Sequence, residues 1–197
     1  AYVQADLLTE FGAIPPSFLP LGNRRLYSHQ VSMLRDHCDS IYLALPSDYE
    51  QSCKDIEALE ELNVKPILLE PSISICKAKS QVLETISKQV DQLIFLYGDT
   101  LFSSLNEIPK DCYSAHSAVD EYKWAPAPTN VNPGVNEESN LVVSGLFSFS
   151  DLTALKDALT NESSDITQAL TKYDSSIPLT MTTKGDWYDF GHTQTYY

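Results

Sequence analysis

Residues 91–102 read DQLIFLYGDTLF, and the fold turns on how this stretch is read. Within it, residues 93–97 form an unbroken apolar run, the pattern of a strand buried on both faces of a parallel sheet. The run stops at Gly98-Asp99-Thr100. Gly98 permits a tight turn, which would set Asp99 at the carboxyl edge of the sheet, where open α/β folds take their ligands. A carboxylate there suits Mg2+ held against a phosphate. The same residues also fit a plain turn capped by Asp99.

Upstream, apolar runs alternate with segments of helical spacing. Residues 2–5 read as a first strand, followed by a long segment, 6–23, punctuated by Gly12, Pro15, Pro16, Pro20 and Gly22. Loops of that length are often functional, and this one is expected to close over a ligand. Asn23 is placed to cap a helix starting at Arg24, with Tyr27, Val31 and Leu34 on one face. Residues 40–45 form the next strand. The Ser47…Glu50 pair has the form of a capping box, opening a helix that carries Tyr49, Cys53, Ile56 and Leu59. Residues 64–69 make a third strand, which Pro66 directs to a sheet edge. A helix bearing Ala78, Val82, Ile86 and Val90 leads back to the central run.

This alternation predicts an α/β fold, a Rossmann-like three-layer sandwich with a mostly parallel central sheet and right-handed crossovers. Downstream the rhythm changes: a strand over 112–119, a Pro- and Asn-rich loop over 124–138, and a strand over Leu141–Phe149 interrupted by Gly145. Helices come next over 150–159 and 164–173, then strands over 179–182 and 187–190. Residues 1–197 are expected to form one domain; the missing initiator Met and the end at Tyr197 leave room for a longer native chain.

Composition narrows the function. The 197 residues are 43% hydrophobic and 20% charged, with a net charge of −14. That balance argues against a nucleic-acid groove, which needs Lys and Arg to neutralise phosphates. No apolar run reaches the length of a membrane span, and the N-terminus lacks a basic region followed by an apolar core. A cytoplasmic protein without membrane contact is the expectation. Cys38, Cys53, Cys76 and Cys112 are scattered without a CxxC pair, so reduced thiols are expected rather than zinc. His29, His37 and His116 share no metal-like spacing. No G-x-G-x-x-G follows a strand, which disfavours a dehydrogenase.

A second Asp stands at the end of an apolar strand near the C-terminus, in WYDFGHTQTYY (187–197), with Gly191 two residues after Asp189. Carboxylates converging from two strands make one hard-cation site, whereas either alone binds Mg2+ poorly. Four blocks in order, FLPLGNRRLYSHQVSML, FLYGDT, LVVSGLFSFSD and WYDFGHTQTYY, resemble the sugar-phosphate nucleotidyltransferases. These enzymes, which have a GT-A-like fold, join a nucleotide to a sugar phosphate or related alcohol.

The resemblance implies that Asp99 and Asp189 hold the metal. It implies a nucleoside triphosphate and a small phosphorylated acceptor as substrates, pyrophosphate as product and Mg2+ as cofactor. Gly12, Gly98, Gly145, Lys123 and His192 are the candidate substrate contacts. Gly145 fits close approach to a sugar or a β-bulge, and His192, standing where the family has Thr, fits a phosphate contact or the surface. The chain departs from the family at ADLLTEFGAIPP, which has one glycine and no Arg where a Gly-rich loop cradles the triphosphate. The family's activating Lys is also missing. Arg24 and Arg25 are candidates to replace its charge or are simply exposed arginines. Two other readings therefore stay open: a binding or regulatory module whose loop has decayed, and a metal-dependent glycosyltransferase. The latter usually carries Asp-x-Asp where this chain has Gly98-Asp99-Thr100.

Overall fold

The computed structural model describes residues 2–3, 5–86, 90–118, 124–128, 141–159 and 165–197. In chain order the elements are α1 (Ala5–Phe11), a 3-10 turn (Pro16–Phe18), β1 (Pro20–Leu21), β2 (Arg24–Arg25), α2 (Leu26–Leu34), β3 (Ile41–Pro46), α3 (Cys53–Glu61), β4 (Val64–Leu69) and α4 (Ile75–Thr85). After these come β5 (Leu93–Leu96), β6 (Thr100–Ser103), β7 (Cys112–Ser117), β8 (Leu141–Phe149), α5 (Leu152–Leu159), α6 (Ile166–Asp174), β9 (Thr180–Thr182), β10 (Asp186–Asp189) and α7 (Thr193–Tyr196). Among the described residues no helix is long and apolar enough to cross a membrane. The α/β class expected from the sequence is the one observed. Its strand pairings are both parallel and antiparallel.

The chain divides into two compact units. The first comprises Ala1–Ile73, Gly98–Leu105 and Asp186–Tyr197. In it β3 and β4 pair in parallel, from Ile41 opposite Val64 to Pro46 opposite Leu69. Leu45, Leu59, Val64, Val31, Tyr27 and Phe18 form one apolar cluster, which draws on both strands and on α2 and α3. Helix α3 starts because the Ser52 hydroxyl accepts the Asp55 N–H at 3.2 Å, satisfying an otherwise unpaired donor of the first turn. The expected capping box at Ser47 does not open a helix, since Ser52 supplies the cap five residues later.

Further expectations in this unit are corrected. Against the strand expected over 2–5, Tyr2 and Val3 lie in no strand; the chain turns helical at Ala5, and Leu7 is fully buried in a cluster with Val3, Leu19, Leu26 and Phe190. Four residues carry too little pattern to separate a strand from the lead-in to a helix. The 6–23 segment is consequently structured, holding α1, the 3-10 turn and β1. Arg24 and Arg25 do not begin α2 but pair with Leu21 and Pro20 in a short antiparallel hairpin. Asn23 lies in its turn, and the residue at the α2 N-cap is Arg25, with no side-chain cap.

The second unit comprises Ser74–Tyr97 and Asn106–Gly185. Its sheet runs β5-β8-β7-β9, with β5 and β7 antiparallel to β8, and β7 parallel to β9. The side chains of α5 and α6, with Cys76 and Leu83 of α4, share a core with Tyr113, Phe147 and Phe149. Here the reading of 93–97 is corrected. Strand β5 is outermost in this sheet, antiparallel to β8, and each of its residues is only half-buried. Continuous apolarity reports cover on both faces, and partial cover by Lys79 and neighbouring rings is enough to select it. The corner before β7 is fixed by Asp111, whose carboxylate accepts the Ser150 N–H at 2.8 Å, the Ser150 hydroxyl at 2.6 Å and the Tyr173 hydroxyl at 2.6 Å.

Candidate functional site

In the first unit β6 begins immediately after Asp99, and its antiparallel partner β10 ends at Asp189, with Asp189 opposite Thr100. The Phe190 N–H donates to the Asp99 carbonyl at 2.7 Å, extending the ladder past both carboxylates. Register alone therefore brings the two Asp residues to one end of the strand pair. From α2, the buried Gln30 donates its amide to the Thr100 carbonyl at 2.8 Å and the Gly98 carbonyl at 3.2 Å. One NH2 group has two protons, so a single side chain fixes both sides of the turn that presents Asp99.

Gly191 sets the spacing of the pair. A Cβ there would lie 3.0 Å from Asp99 Oδ2 and 3.2 Å from Asp189 Oδ1, so these two oxygens are at most about 6 Å apart. Gly191 is not in the left-handed region; its requirement is space and not backbone freedom. Asp189 is buried, while Asp99 keeps some exposed surface although its carboxyl is enclosed. Burial, and then the negative Asp189, push the Asp99 carboxyl up to about 6. Its side-chain hydrogen bond from the Thr100 hydroxyl is a long one, at 3.4 Å.

Asp189 is held differently. Its Oδ2 accepts from His192 Nδ1 at 3.0 Å and from the Thr195 hydroxyl at 2.8 Å. One oxygen of Asp189 is thus anchored to the chain around α7, and the other lies on the Asp99 side. Among the described residues no third His, Cys, Asp or Glu joins them as a metal-holding cluster. Two carboxylate oxygens flanking one point beside Gly191 are donors that suit a small hard cation completing its shell with water and phosphate oxygens. They do not make an all-protein cage.

The other candidates divide, with His192 and Gly98 adjoining the pair. His192 lies against Asp189, its side chain 12% exposed. Arg25 reaches Asp55 at 3.3 Å and donates to the Phe18 carbonyl at 3.0 Å, whereas Arg24 is exposed on the hairpin. Gly12 follows α1 at a φ of 75° with its N–H on the Leu8 carbonyl, a helix-ending role. At Gly98 a Cβ would meet Ser17 N at 3.5 Å, an ordinary contact, so the tight turn does not itself demand glycine. Gly145 belongs to the second unit; its φ is 89°, and it lies where the β7–β8 register shifts, as a β-bulge requires. Lys123 lies outside the described residues. Gln30 and Thr195 are not legible as site residues in the sequence, because a lone amide or hydroxyl carries no signal until the fold places it.

No family model and no curated protein matches the sequence. Solved structures do. A nucleoside-diphosphate-sugar pyrophosphorylase from Vibrio cholerae RC9 superposes with a TM-score of 0.70 at 15% identity, covering 100% of this chain and 95% of that one. The inositol-1-phosphate CTP transferase from T. maritima gives 0.64 at 14%, covering 96% and 86%. CTP:phosphocholine cytidylyltransferase from Streptococcus pneumoniae gives 0.64 at 12%, covering 96% and 89%. The chain has the fold of the sugar-phosphate nucleotidyltransferases, at an identity that establishes the fold alone.

Proposed function

We propose that the protein is a divalent-cation-dependent nucleotidyltransferase. It would join a nucleoside monophosphate from a nucleoside triphosphate to a sugar 1-phosphate or phospho-alcohol, releasing pyrophosphate. The observation that carries this reading is the convergence of Asp99 Oδ2 and Asp189 Oδ1 around Gly191, on a fold shared with enzymes named for such transfers. An acceptor phosphate oxygen attacks the α-phosphorus in line, the bond from that phosphorus to the bridging oxygen breaks, and pyrophosphate departs with the electron pair. Mg2+, held by Asp99 and Asp189, would supply charge neutralisation on the phosphates.

The chain's own part is placement. Gln30 fixes the turn that presents Asp99, and Gly191 keeps the space between the carboxylates clear of side-chain atoms. The exposed Arg24 offers positive charge to a phosphate, while Arg25 serves the packing of the hairpin on α3. Positioning and charge neutralisation account for most of the rate in phosphoryl transfers of this kind.

One observation favours a second reading. The segment where the resembling family keeps its Gly-rich loop is the helix α1, with Leu7 in the core, and it presents no run of turn glycines to a triphosphate. On that reading the protein binds nucleotide without turning it over. The test is a pyrophosphate-release screen of ATP, CTP, GTP, UTP and dTTP against sugar 1-phosphates and phospho-alcohols with Mg2+, with calorimetry on the same nucleotides. Release that disappears in Asp99→Asn and Asp189→Asn supports the enzyme. Nucleotide binding without release from any pair supports the module, and neither sinks both readings.

A further inference from the structure

We infer that His192 and Thr195 are positioning residues for the cation site, a clamp that fixes one oxygen of Asp189 so that the other faces Asp99. This rests on the proposed reading of the Asp pair. A carboxylate on a short side chain can swing and bind a cation through either oxygen or both, and each alternative alters the distance to Asp99. Here that freedom is removed. His192 Nδ1 lies 3.0 Å and Thr195 Oγ1 2.8 Å from the same oxygen, Oδ2. A carboxylate only accepts, so His192 must carry its proton on Nδ1, and the single Thr195 proton goes to the charged oxygen. The His192 carbonyl, 3.0 Å from the same hydroxyl and 2.9 Å from the Tyr196 N–H, ties the two residues into one turn.

Both donors come from the six residues after Asp189, and their chain is held independently of the site. Tyr196 packs edge-on against Phe190 and Phe11, with ring centroids 6.1 Å and 5.2 Å apart, and its hydroxyl donates to the Pro20 carbonyl. The clamp is therefore set by packing and not by the cation. Hydrogen-bonded partners behind a metal ligand typically change affinity 10- to 100-fold when removed.

The experiment titrates Mn2+ into the purified protein and follows free Mn2+ by electron paramagnetic resonance, a readout that needs no turnover. Thr195→Val and His192→Leu remove one donor each with little change in bulk. Thr195→Ser keeps the hydroxyl, and His192→Asn keeps an N–H near the position of Nδ1. The clamp predicts that the first two weaken Mn2+ binding at least about 10-fold and that the second two stay within about threefold of wild type. Thermal melts confirm that all four are folded. Wild-type binding with Thr195→Val and His192→Leu equally tight overturns the clamp and leaves the metal site standing. Absence of Mn2+ binding by the wild type overturns the metal reading and the clamp with it. Weakening in all four variants alike overturns hydrogen bonding as the cause.

Discussion

Asp99 is a carboxyl whose ionisation works against the fold. Its ordinary value is 3.8 and its folded value is about 6, because burial and the charge of Asp189 both disfavour the anion. Between these two values Asp99 is protonated more in the native state than in the unfolded chain, so its contribution to stability falls as pH rises from about 4 to about 6, then stays level. Asp99→Asn keeps the shape and removes the charge, so above pH 7 it should stabilise the cation-free protein by roughly 2–3 kcal/mol. At pH 4 and below the gain should vanish. Urea melts in a chelator at pH 4 and pH 7.5 check this, and an equal effect at both would show that the charge is not the cause.

Gly191 makes the complementary case, since its constraint is steric. Gly191→Ala should fold, because the backbone there lies outside the left-handed region, yet its methyl would stand 3.0 Å and 3.2 Å from the two carboxylate oxygens. We expect at least a tenfold loss of Mn2+ affinity with little change in melting temperature. These residues differ in how far the sequence reveals them. Asp99 and Asp189 are visible because each ends an apolar strand beside a glycine, a pattern that packing does not ask for. The Gly191 motif is visible too, but its reason is not: only the folded chain shows that the glycine clears space between the two acids. Gln30 reads simply as a polar residue on α2.

At the scale of elements, α4 carries a cost that the sequence hides. Lys79 is 5% exposed; among the described residues its amine has no hydrogen-bond partner, and it lies 3.6 Å from the ring centre of Phe147, with Phe95 at 5.0 Å and Tyr97 at 5.2 Å. The rings give the cation some attraction, but burial still pulls its value down from 10.5 to about 7, with Cys76 opposing weakly. A lowered value means the unfolded chain binds the proton more tightly. The penalty is therefore complete below about pH 7 and fades as pH rises toward 10.5. Lys79→Met should raise the melting temperature at pH 7 and raise it much less at pH 10. A pH-independent gain would point to packing alone.

Elements are legible where pattern is long and local. Strands β4 and β8 and helices α5 and α6 lie within two residues of the spans that apolar spacing assigns. The failures share a cause. The first strand, the Arg24 helix start and the Ser47 cap each rest on two to five residues, where several local structures satisfy one pattern. In each case a neighbour decides: Leu7 entering the core, the hairpin pairing of Arg24 with Leu21, and Ser52 capping α3. The strand β6 and helix α7 leave no readable pattern, because short segments gain their structure from partners far away in the chain.

At the scale of the whole molecule, strand–helix alternation over the first hundred residues and four blocks in order suffice for the α/β class and the nucleotidyltransferase fold. The two-unit division is not legible, since it cuts across chain order: residues 98–105 and 186–197 join the first unit, although each follows a stretch of the second. That same crossing assembles the site. The strand after residue 97 and the strand before residue 190 pair within one unit, and their ends carry the two acids. On the proposed reading, a cation between these two acids would offset their mutual repulsion in a chain of net charge −14. The most direct test is the anomalous diffraction of crystals soaked in Mn2+. One strong peak is expected between Asp99 Oδ2 and Asp189 Oδ1, about 2.0–2.6 Å from each, and is expected to be lost in Asp189→Asn. A Mn2+ peak away from this pair, or none beside it at saturating Mn2+, would contradict the metal reading.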